Sequence, residues 1–201
     1  MMPAARESLL EAASTALRRR PWPTVRMVDV AADAGVSRQT LYNEFGSKDG
    51  LARALVRRET DAYLAGADRA LTEGGLPSLA EWTVGSARTN AVIRAVLTGC
   101  WSPRLPAPGL AAVPSTSTVP AQRRADGPLP TPAELVALVR ERAAALRGGP
   151  GLAKEEALRT RHECELALRL ALSCVLAPAG DGGVGRLVRE ALEGAARQAG
   201  R

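Results

Sequence analysis

The sequence predicts an all-α protein. Apolar residues recur every three or four positions through most of the chain, and these stretches are bounded by capping residues or by glycine and proline. We find no stretch with the strict alternation of apolar and polar residues that is typical of a half-buried β-strand. Apolar residues make up 46 % of the 201 residues, which is enough to bury a sizeable core.

Two short helices are expected at the amino terminus. The first runs over residues 7–20 and ends at Pro21, because proline cannot continue a helix. Thr24 is expected to cap the second helix, since a threonine hydroxyl accepts hydrogen bonds from free backbone amides. Gly35 stands where a left-handed residue would end that helix.

A third helix and a long fourth helix follow. Ser37 is expected to cap the third helix, in which Leu41 and Phe45 lie four residues apart and therefore share a buried face. Ser47 is expected to cap the fourth helix, which should end near residues 74–75, where two glycines follow each other. Together the two serines mark a short helix between two turns.

The middle of the chain stays helical and then loses its pattern. Residues 79–88 and 90–97 are expected to be helical, either as two separate helices or as one helix that is continuous or kinked near Gly85. Residues 99–130 contain seven prolines and a run of serine and threonine, so this segment is predicted to be a mobile loop.

The last third is helical again. Residues 131–134, Thr-Pro-Ala-Glu, form a capping box that begins a helix. A long helix is expected over residues 153–177, and its second half is apolar nearly all round, so it should be covered from several sides. A final helix over residues 184–199 carries an apolar face of small residues, which permits close helix packing.

The third helix has the polar side chains of a DNA-binding element. A helix, a tight glycine turn and a short capped helix are typical of a helix-turn-helix unit, which inserts its second helix into the major groove. Arginine can donate two hydrogen bonds to guanine, and glutamine or asparagine can pair with adenine. The formal net charge of +6 also suits an anionic partner. The candidate base-facing residues are Arg38, Gln39, Thr40 and Asn43.

These residues resemble the amino-terminal signature of the tetracycline-repressor (TetR) family of bacterial regulators over about residues 5–65. The resemblance implies a three-helix DNA-binding domain at residues 1–50, a linking helix at 47–73, and a helical ligand-binding and dimerisation domain at 74–201. It also implies a phosphate contact from the Tyr42 hydroxyl and another from Lys48. The DNA-binding set is then Ser37, Arg38, Gln39, Thr40, Tyr42, Asn43 and Lys48.

The resemblance further implies a homodimer through the last two helices, a palindromic operator in double-stranded DNA, and a small-molecule effector that releases the repressor. Trp82, Cys100 and Trp101 are either the lining of an effector cavity or ordinary core. An alternative is the same architecture without ligand sensing, controlled by a protein partner. Glu44 stands where the family often has an aromatic residue or histidine.

Other function classes have little support in the sequence. We find no activated nucleophile, acid pair or nucleophile elbow, so an enzyme is not expected, and no cofactor is predicted. His162 and Cys164 lie two residues apart and would diverge on a helix, so no metal site is expected. No apolar run is long enough to cross a membrane. Three cysteines without a paired spacing favour a reducing, cytoplasmic location.

Overall fold

The computed structural model describes residues 3–107, 129–147 and 154–199. Within these ranges the protein contains eight α-helices, one short 3-10 helix and no β-strand, which confirms the predicted fold class. The α-helices are α1 Pro3–Arg19, α2 Met27–Asp33, α3 Arg38–Phe45, α4 Lys48–Thr89, α5 Ala91–Thr98, α6 Pro132–Arg147, α7 Lys154–Leu176 and α8 Gly183–Ala199.

The described residues form two compact units. The first unit contains residues 3–59, 101–107 and 129, and the second contains residues 60–100, 130–147 and 154–199. In the first unit, α1 packs against α2 and α3 around a core that includes Leu9, Val30 and Leu41. Burial of these side chains holds α1 together with α2 and α3, which have seven and eight residues and are too short to be stable alone.

The start of α2 differs from the sequence prediction. Thr24 does not cap α2; it ends a 3-10 helix, Trp22–Thr24, and its hydroxyl donates to the Pro21 carbonyl at 2.8 Å. The N-cap of α2 is Arg26, which makes no side-chain capping bond. The prediction was wrong because the two prolines around Trp22 form a turn of their own, so that α2 starts beyond reach of Thr24.

The predicted turns on either side of α3 are confirmed, whereas α1 begins at Pro3 rather than at residue 7. Gly35 has a φ of +67°, the left-handed conformation expected of a residue that ends a helix. The Ser37 hydroxyl accepts from the Thr40 amide, and the Ser47 hydroxyl accepts from the Gly50 amide at 3.1 Å. The sequence therefore located both turns that flank α3.

The helix α4 is interrupted at Gly75, close to its predicted end. Gly75 has φ 69° and ψ −154°, which is not helical, and the two halves of α4 pack against each other. The indole N–H of Trp82 donates to the Tyr63 carbonyl at 3.0 Å. A Cβ at Gly66 would lie 2.0 Å from the Trp82 ring, so glycine is required for this close approach.

The remaining helices complete the second unit. Asn90 caps α5 by accepting from the Val92 and Ile93 amides, so residues 79–98 form two helical segments that separate at Asn90 rather than kink at Gly85. The predicted capping box is present: the Thr131 amide donates to Glu134 Oε2 at 2.8 Å. The helix α7 packs against α5, α6 and α8, as its apolar circumference predicted.

The predicted mobile loop, residues 99–130, lies largely outside the described residues. At its described start, Gly99 ends α5 with a φ of 73°. Residues 102–105 form a turn in which the Leu105 amide donates to the Ser102 carbonyl at 2.9 Å. The Arg104 carbonyl accepts from the Trp22 amide at 2.8 Å, so this turn is attached to the first unit.

Candidate DNA-binding site

The helix α3 begins in a well-defined cap. Ser37 has extended backbone angles, and its hydroxyl accepts from the Thr40 amide at 3.0 Å. The Ser37 and Thr40 hydroxyls also lie 2.9 Å apart and share a hydrogen bond. Because both hydroxyls are engaged in the cap, they fix the start of α3 relative to the turn that precedes it.

The inner face of α3 is anchored in the core of the first unit. Leu41 is fully buried and Phe45 nearly so, as their four-residue spacing predicted. The guanidinium of Arg6, from α1, lies 4.7 Å from the centroid of the Phe45 ring. Its Nη1 is also 3.6 Å from Glu44 Oε2 and 3.5 Å from the Glu44 carbonyl oxygen.

Glu44 is therefore held against α1. Its side chain is only 11 % exposed, and its carboxylate pairs with Arg6. Sequence analysis noted that the family often has an aromatic residue or histidine at this position. In the structure the Glu44 charge is balanced by a cation of the same unit, so the acid does not dominate the exposed surface of α3.

The outer face of α3 is polar and open to solvent. Arg38, Gln39, Tyr42 and Asn43 are exposed, and Thr40 is half-buried. Tyr42 has 49 % of its surface accessible. The Gln39 side-chain amide donates to Asn43 Oδ1 at 2.8 Å. One helical surface thus presents a cation, two amides and a phenol, which are groups able to bind base edges and phosphates.

Lys48 lies at the start of α4, next to the 3-10 turn. Its ammonium donates to the Pro23 carbonyl at 2.9 Å and lies 5.6 Å from the Trp22 ring centroid. Partial burial lowers the pKa of Lys48, and the neighbouring Asp49 carboxylate opposes that shift. An ammonium has three protons, so one bond to Pro23 is compatible with a further contact to phosphate.

The candidate effector residues occupy different settings. Trp82 is 36 % exposed, and its indole N–H is bonded to the Tyr63 carbonyl. Cys100 is an exposed free thiol whose Sγ lies 3.7 Å from the Thr98 carbonyl oxygen. Trp101 is half-buried and belongs to the first unit, whereas the other two belong to the second. Their role in effector binding stays a prediction.

Sequence analysis did not single out the polar side chains inside the second unit. Tyr63 is 2 % exposed, and its hydroxyl shares a hydrogen bond of 3.0 Å with the fully buried Thr83. Thr83 in turn donates to the Leu79 carbonyl at 2.8 Å. Ser86, one turn further along, has a buried hydroxyl that makes no hydrogen bond. Only the rarity of tyrosine, two in the whole chain, could have drawn attention to this cluster.

The described part of the chain contains no group of three or more His, Cys, Asp or Glu side chains that could hold a metal ion. His162 is exposed on α7, and Cys164 two residues on is fully buried, so the two point to different sides of the helix. None of its helices is long and apolar enough to span a membrane.

Helices α2 and α3, which are joined by a turn at Gly35, have the arrangement of a helix-turn-helix unit, and the outer face of α3 is polar. Residues 9–55 match the model of a family described as bacterial regulatory proteins, tetR family. Over 56 residues, 28 % of this chain, the sequence is 48 % identical to the HTH-type transcriptional regulator AlkX of Mycobacterium tuberculosis. Residues 9–55 of this chain are therefore similar to the corresponding region of TetR-family transcriptional regulators.

Solved structures share the helical architecture. A TetR-family transcriptional regulator from Streptomyces coelicolor is similar with a TM-score of 0.53 at 20 % identity, over 94 % of this chain and 78 % of that chain. The TetR family repressor AlkX from Dietzia sp. strain DQ12-45-1b has a TM-score of 0.49 at 21 % identity, over 96 % of this chain and 92 % of that chain. The match to the Mycobacterium regulator spans only 26 % of that relative's length.

Proposed function

We propose that the protein is a homodimeric repressor that binds a palindromic operator and is released from it by a small molecule. The observation that carries the proposal is the two-sided character of α3. Its inner face is fixed in the core by Leu41 and Phe45, while its outer face presents Arg38, Gln39 and Asn43 to solvent. A rigid helix with an open polar face is what direct base recognition requires.

The residues of this site have separate proposed roles. Arg38, Gln39, Thr40 and Asn43 face the bases of the major groove, and the Ser37 and Thr40 hydroxyls fix the cap of α3. The Tyr42 hydroxyl and the Lys48 ammonium bind phosphates on either side of the groove. In this division residues 1–50 bind DNA, residues 47–73 form the linking helix and residues 74–201 sense the effector and dimerise.

Exposed leucines on the last two helices support the proposed dimer. Leu158 and Leu176 on α7 are 54 % and 76 % exposed, and Leu187 on α8 is 38 % exposed. Full burial of an exposed leucine side chain in an apolar interface is favourable by about 1.5–3 kcal/mol. A symmetric dimer would place two copies of α3 at half-sites about 34 Å apart.

The buried hydroxyls of the second unit support the proposed effector site. Tyr63, Thr83 and Ser86 place polar groups inside a mainly apolar helical core, and an apolar lining with few polar groups is typical of ligand sites. An effector that prefers the conformation unable to span both half-sites would release the DNA by a population shift. Control by a protein partner is the alternative, and it predicts that no small molecule changes DNA affinity.

The proposed function is tested by fluorescence-anisotropy titration of duplexes that tile the DNA upstream of the gene, over a series of salt concentrations. We expect tight binding to one palindromic segment. Arg38→Ala should lower discrimination at one base pair by about 1–3 kcal/mol. Lys48→Ala should weaken binding to every duplex alike and flatten the salt dependence. Equal losses on all duplexes for both variants would contradict the proposed division between base and phosphate contacts.

A further inference from the structure

The outer face of α3 contains an internal hydrogen bond between two of its candidate base-contacting residues. The side-chain amide of Gln39 donates to Asn43 Oδ1 at 2.8 Å. The two residues are four apart on the helix, a spacing that brings their side chains together. Both are exposed, so the bond forms at the surface that the proposed function directs toward DNA.

This bond leaves Gln39 with the groups that adenine recognition needs. A glutamine amide has two protons and one carbonyl oxygen, and the bond to Asn43 uses one proton. Adenine presents an acceptor at N7 and a donor at its N6 amino group in the major groove. The second amide proton and Oε1 of Gln39 can therefore bind N7 and N6 together while the bond to Asn43 is kept.

We propose that Asn43 is a positioning residue that presents the Gln39 amide to an adenine, so that this pair specifies one A·T base pair in each half-site. The inference rests on the proposed insertion of α3 into the major groove. A free glutamine side chain loses rotamer freedom when it binds. Because Asn43 already restricts the Gln39 side chain in the free protein, less rotamer freedom is lost when Gln39 binds the base.

The direction of the hydrogen bond indicates which of the two residues contacts the base. Asn43 is the acceptor and uses its carbonyl oxygen, so its own amide oxygen is engaged when Gln39 is in this position. Bidentate binding of adenine by Asn43 would need that same oxygen to accept from N6 as well as from Gln39, whereas the Gln39 oxygen is not used in the bond between the two residues. We therefore assign the base contact to Gln39 and the positioning role to Asn43.

The test begins with the wild-type protein and a library of randomised duplexes, from which the preferred operator is selected. Each base pair of that operator is then replaced in turn, and the ratio of dissociation constants measures discrimination at that position. We compare the wild type with Gln39→Ala, Asn43→Ala, the double variant and Asn43→Asp. Both residues are exposed, so the substitutions leave the core of the unit untouched.

Gln39→Ala is expected to reduce discrimination at one A·T position by about five- to 150-fold. Asn43→Ala is expected to reduce it at the same position by about two- to tenfold, as for the loss of one hydrogen bond. It should have no further effect in the Gln39→Ala background. Asn43→Asp keeps an acceptor for the Gln39 proton, so discrimination should persist although the added negative charge weakens binding to every duplex.

A matched control uses Arg38. Asn43→Ala should keep its full effect in the Arg38→Ala background, because Arg38 contacts a different base in the proposal. Loss of discrimination at a different base pair in Asn43→Ala would show that Asn43 binds a base itself and would overturn the inference. Additive effects of Gln39→Ala and Asn43→Ala would overturn it as well. A wild-type protein that selects no sequence would instead refute the proposed function.

Discussion

The two tyrosines of the chain lie in opposite environments, one exposed and one buried. Tyr42 lies on the outer face of α3 and is 49 % exposed, whereas Tyr63 lies inside the second unit and is 2 % exposed. Water satisfies an exposed hydroxyl, so Tyr42 is available to a partner, but a buried hydroxyl needs a protein or ligand partner. Tyr63 has one in Thr83, at 3.0 Å. The first unit thus directs polar groups outward, and the second keeps a polar cluster inside.

The largest effect is expected from a substitution in the core that packs against the inner face of α3. Leu41→Ala removes a fully buried side chain from the core of the first unit. We expect the free energy of unfolding to fall by about 2–5 kcal/mol, since the loss of apolar burial adds to the cost of a cavity. Urea denaturation measures this change, and anisotropy should show loss of operator binding although no outer-face residue was altered.

The matched control is Leu138→Ala, because Leu138 on α6 is 44 % exposed. This variant should change stability by less than about 0.5 kcal/mol. If the two leucine variants had equal effects, the core of the first unit would not be what holds α3 in place.

A smaller effect is expected when the link between α1 and α3 is cut. Arg6 lies over the Phe45 ring and pairs with Glu44, whose side chain is 11 % exposed. Arg6→Ala leaves that carboxylate without its cation and should cost about 1–3 kcal/mol. Denaturation of Arg6→Ala, Glu44→Gln and the double variant checks this. The double variant should be more stable than Arg6→Ala alone, and the opposite order would show that the pair contributes little.

The inner cluster of the second unit is tested with Tyr63→Phe. Loss of the hydroxyl removes one hydrogen bond, and we expect a destabilisation of about 1 kcal/mol. Tyr42→Phe is the control and should leave the free energy of unfolding unchanged to within about 0.5 kcal/mol while weakening DNA binding. If Tyr42→Phe proved the more destabilising change, the contrast between the two tyrosines would fail.

Tyr63 also predicts a dependence of stability on pH. Burial raises the pKa of its phenol to about 12 from an ordinary value of 10.0, and the bond to Thr83 opposes that shift. Because the folded pKa is the higher one, the contribution of the neutral phenol is fully present below the unfolded pKa and is lost as the pH rises through the folded pKa. The expected slope between these values is about 1.4 kcal/mol per pH unit. Urea denaturation should show a shallower alkaline decline in Tyr63→Phe.

The sequence predicted local features better than distant ones. Ser37, Ser47 and the Thr131 capping box were located correctly because a cap depends on residues three positions apart. Thr24 was misassigned because the competing turn around Trp22 includes two prolines and a bond to the Arg104 carbonyl, eighty-two residues away along the chain. The more distant the partners, the weaker the local signal.

The same reason separates the two candidate sites. The outer face of α3 follows from helical periodicity and from the family signature, so its residues could be predicted from the sequence. The inner cluster forms only because Gly75 lets the two halves of α4 pack together, which brings Tyr63 to Thr83 across twenty residues. No local sequence pattern predicted that contact, and Trp82 was singled out while its neighbour Thr83 was missed.

The smallest expected effect concerns the ion pairs of Glu165, one within α7 and one with α6. Glu165 lies 2.7 Å from Arg169 Nη2 and 3.1 Å from Arg140 Nη1. Glu165→Gln should destabilise the protein less than Tyr63→Phe does, because exposed ion pairs are screened by water. The thermal midpoint measures the difference, which should shrink further in 1 M salt, at which the screening length is about 3 Å.

The pH dependence of this variant identifies the charge as the cause. The hydrogen bond from Arg169, aided by the one from Arg140, lowers the pKa of Glu165 below its usual range. Its contribution is therefore present above the unfolded pKa and lost as the pH falls through the folded pKa, so wild type and Glu165→Gln should converge in acid. Glu190→Gln, which breaks a pair with Arg186 inside α8, is the control that joins no two helices. Leu135 and Val139 are buried side chains of α6. If Glu165→Gln destabilised the protein more than Tyr63→Phe does, ion pairs rather than these buried side chains would hold α6 against α7.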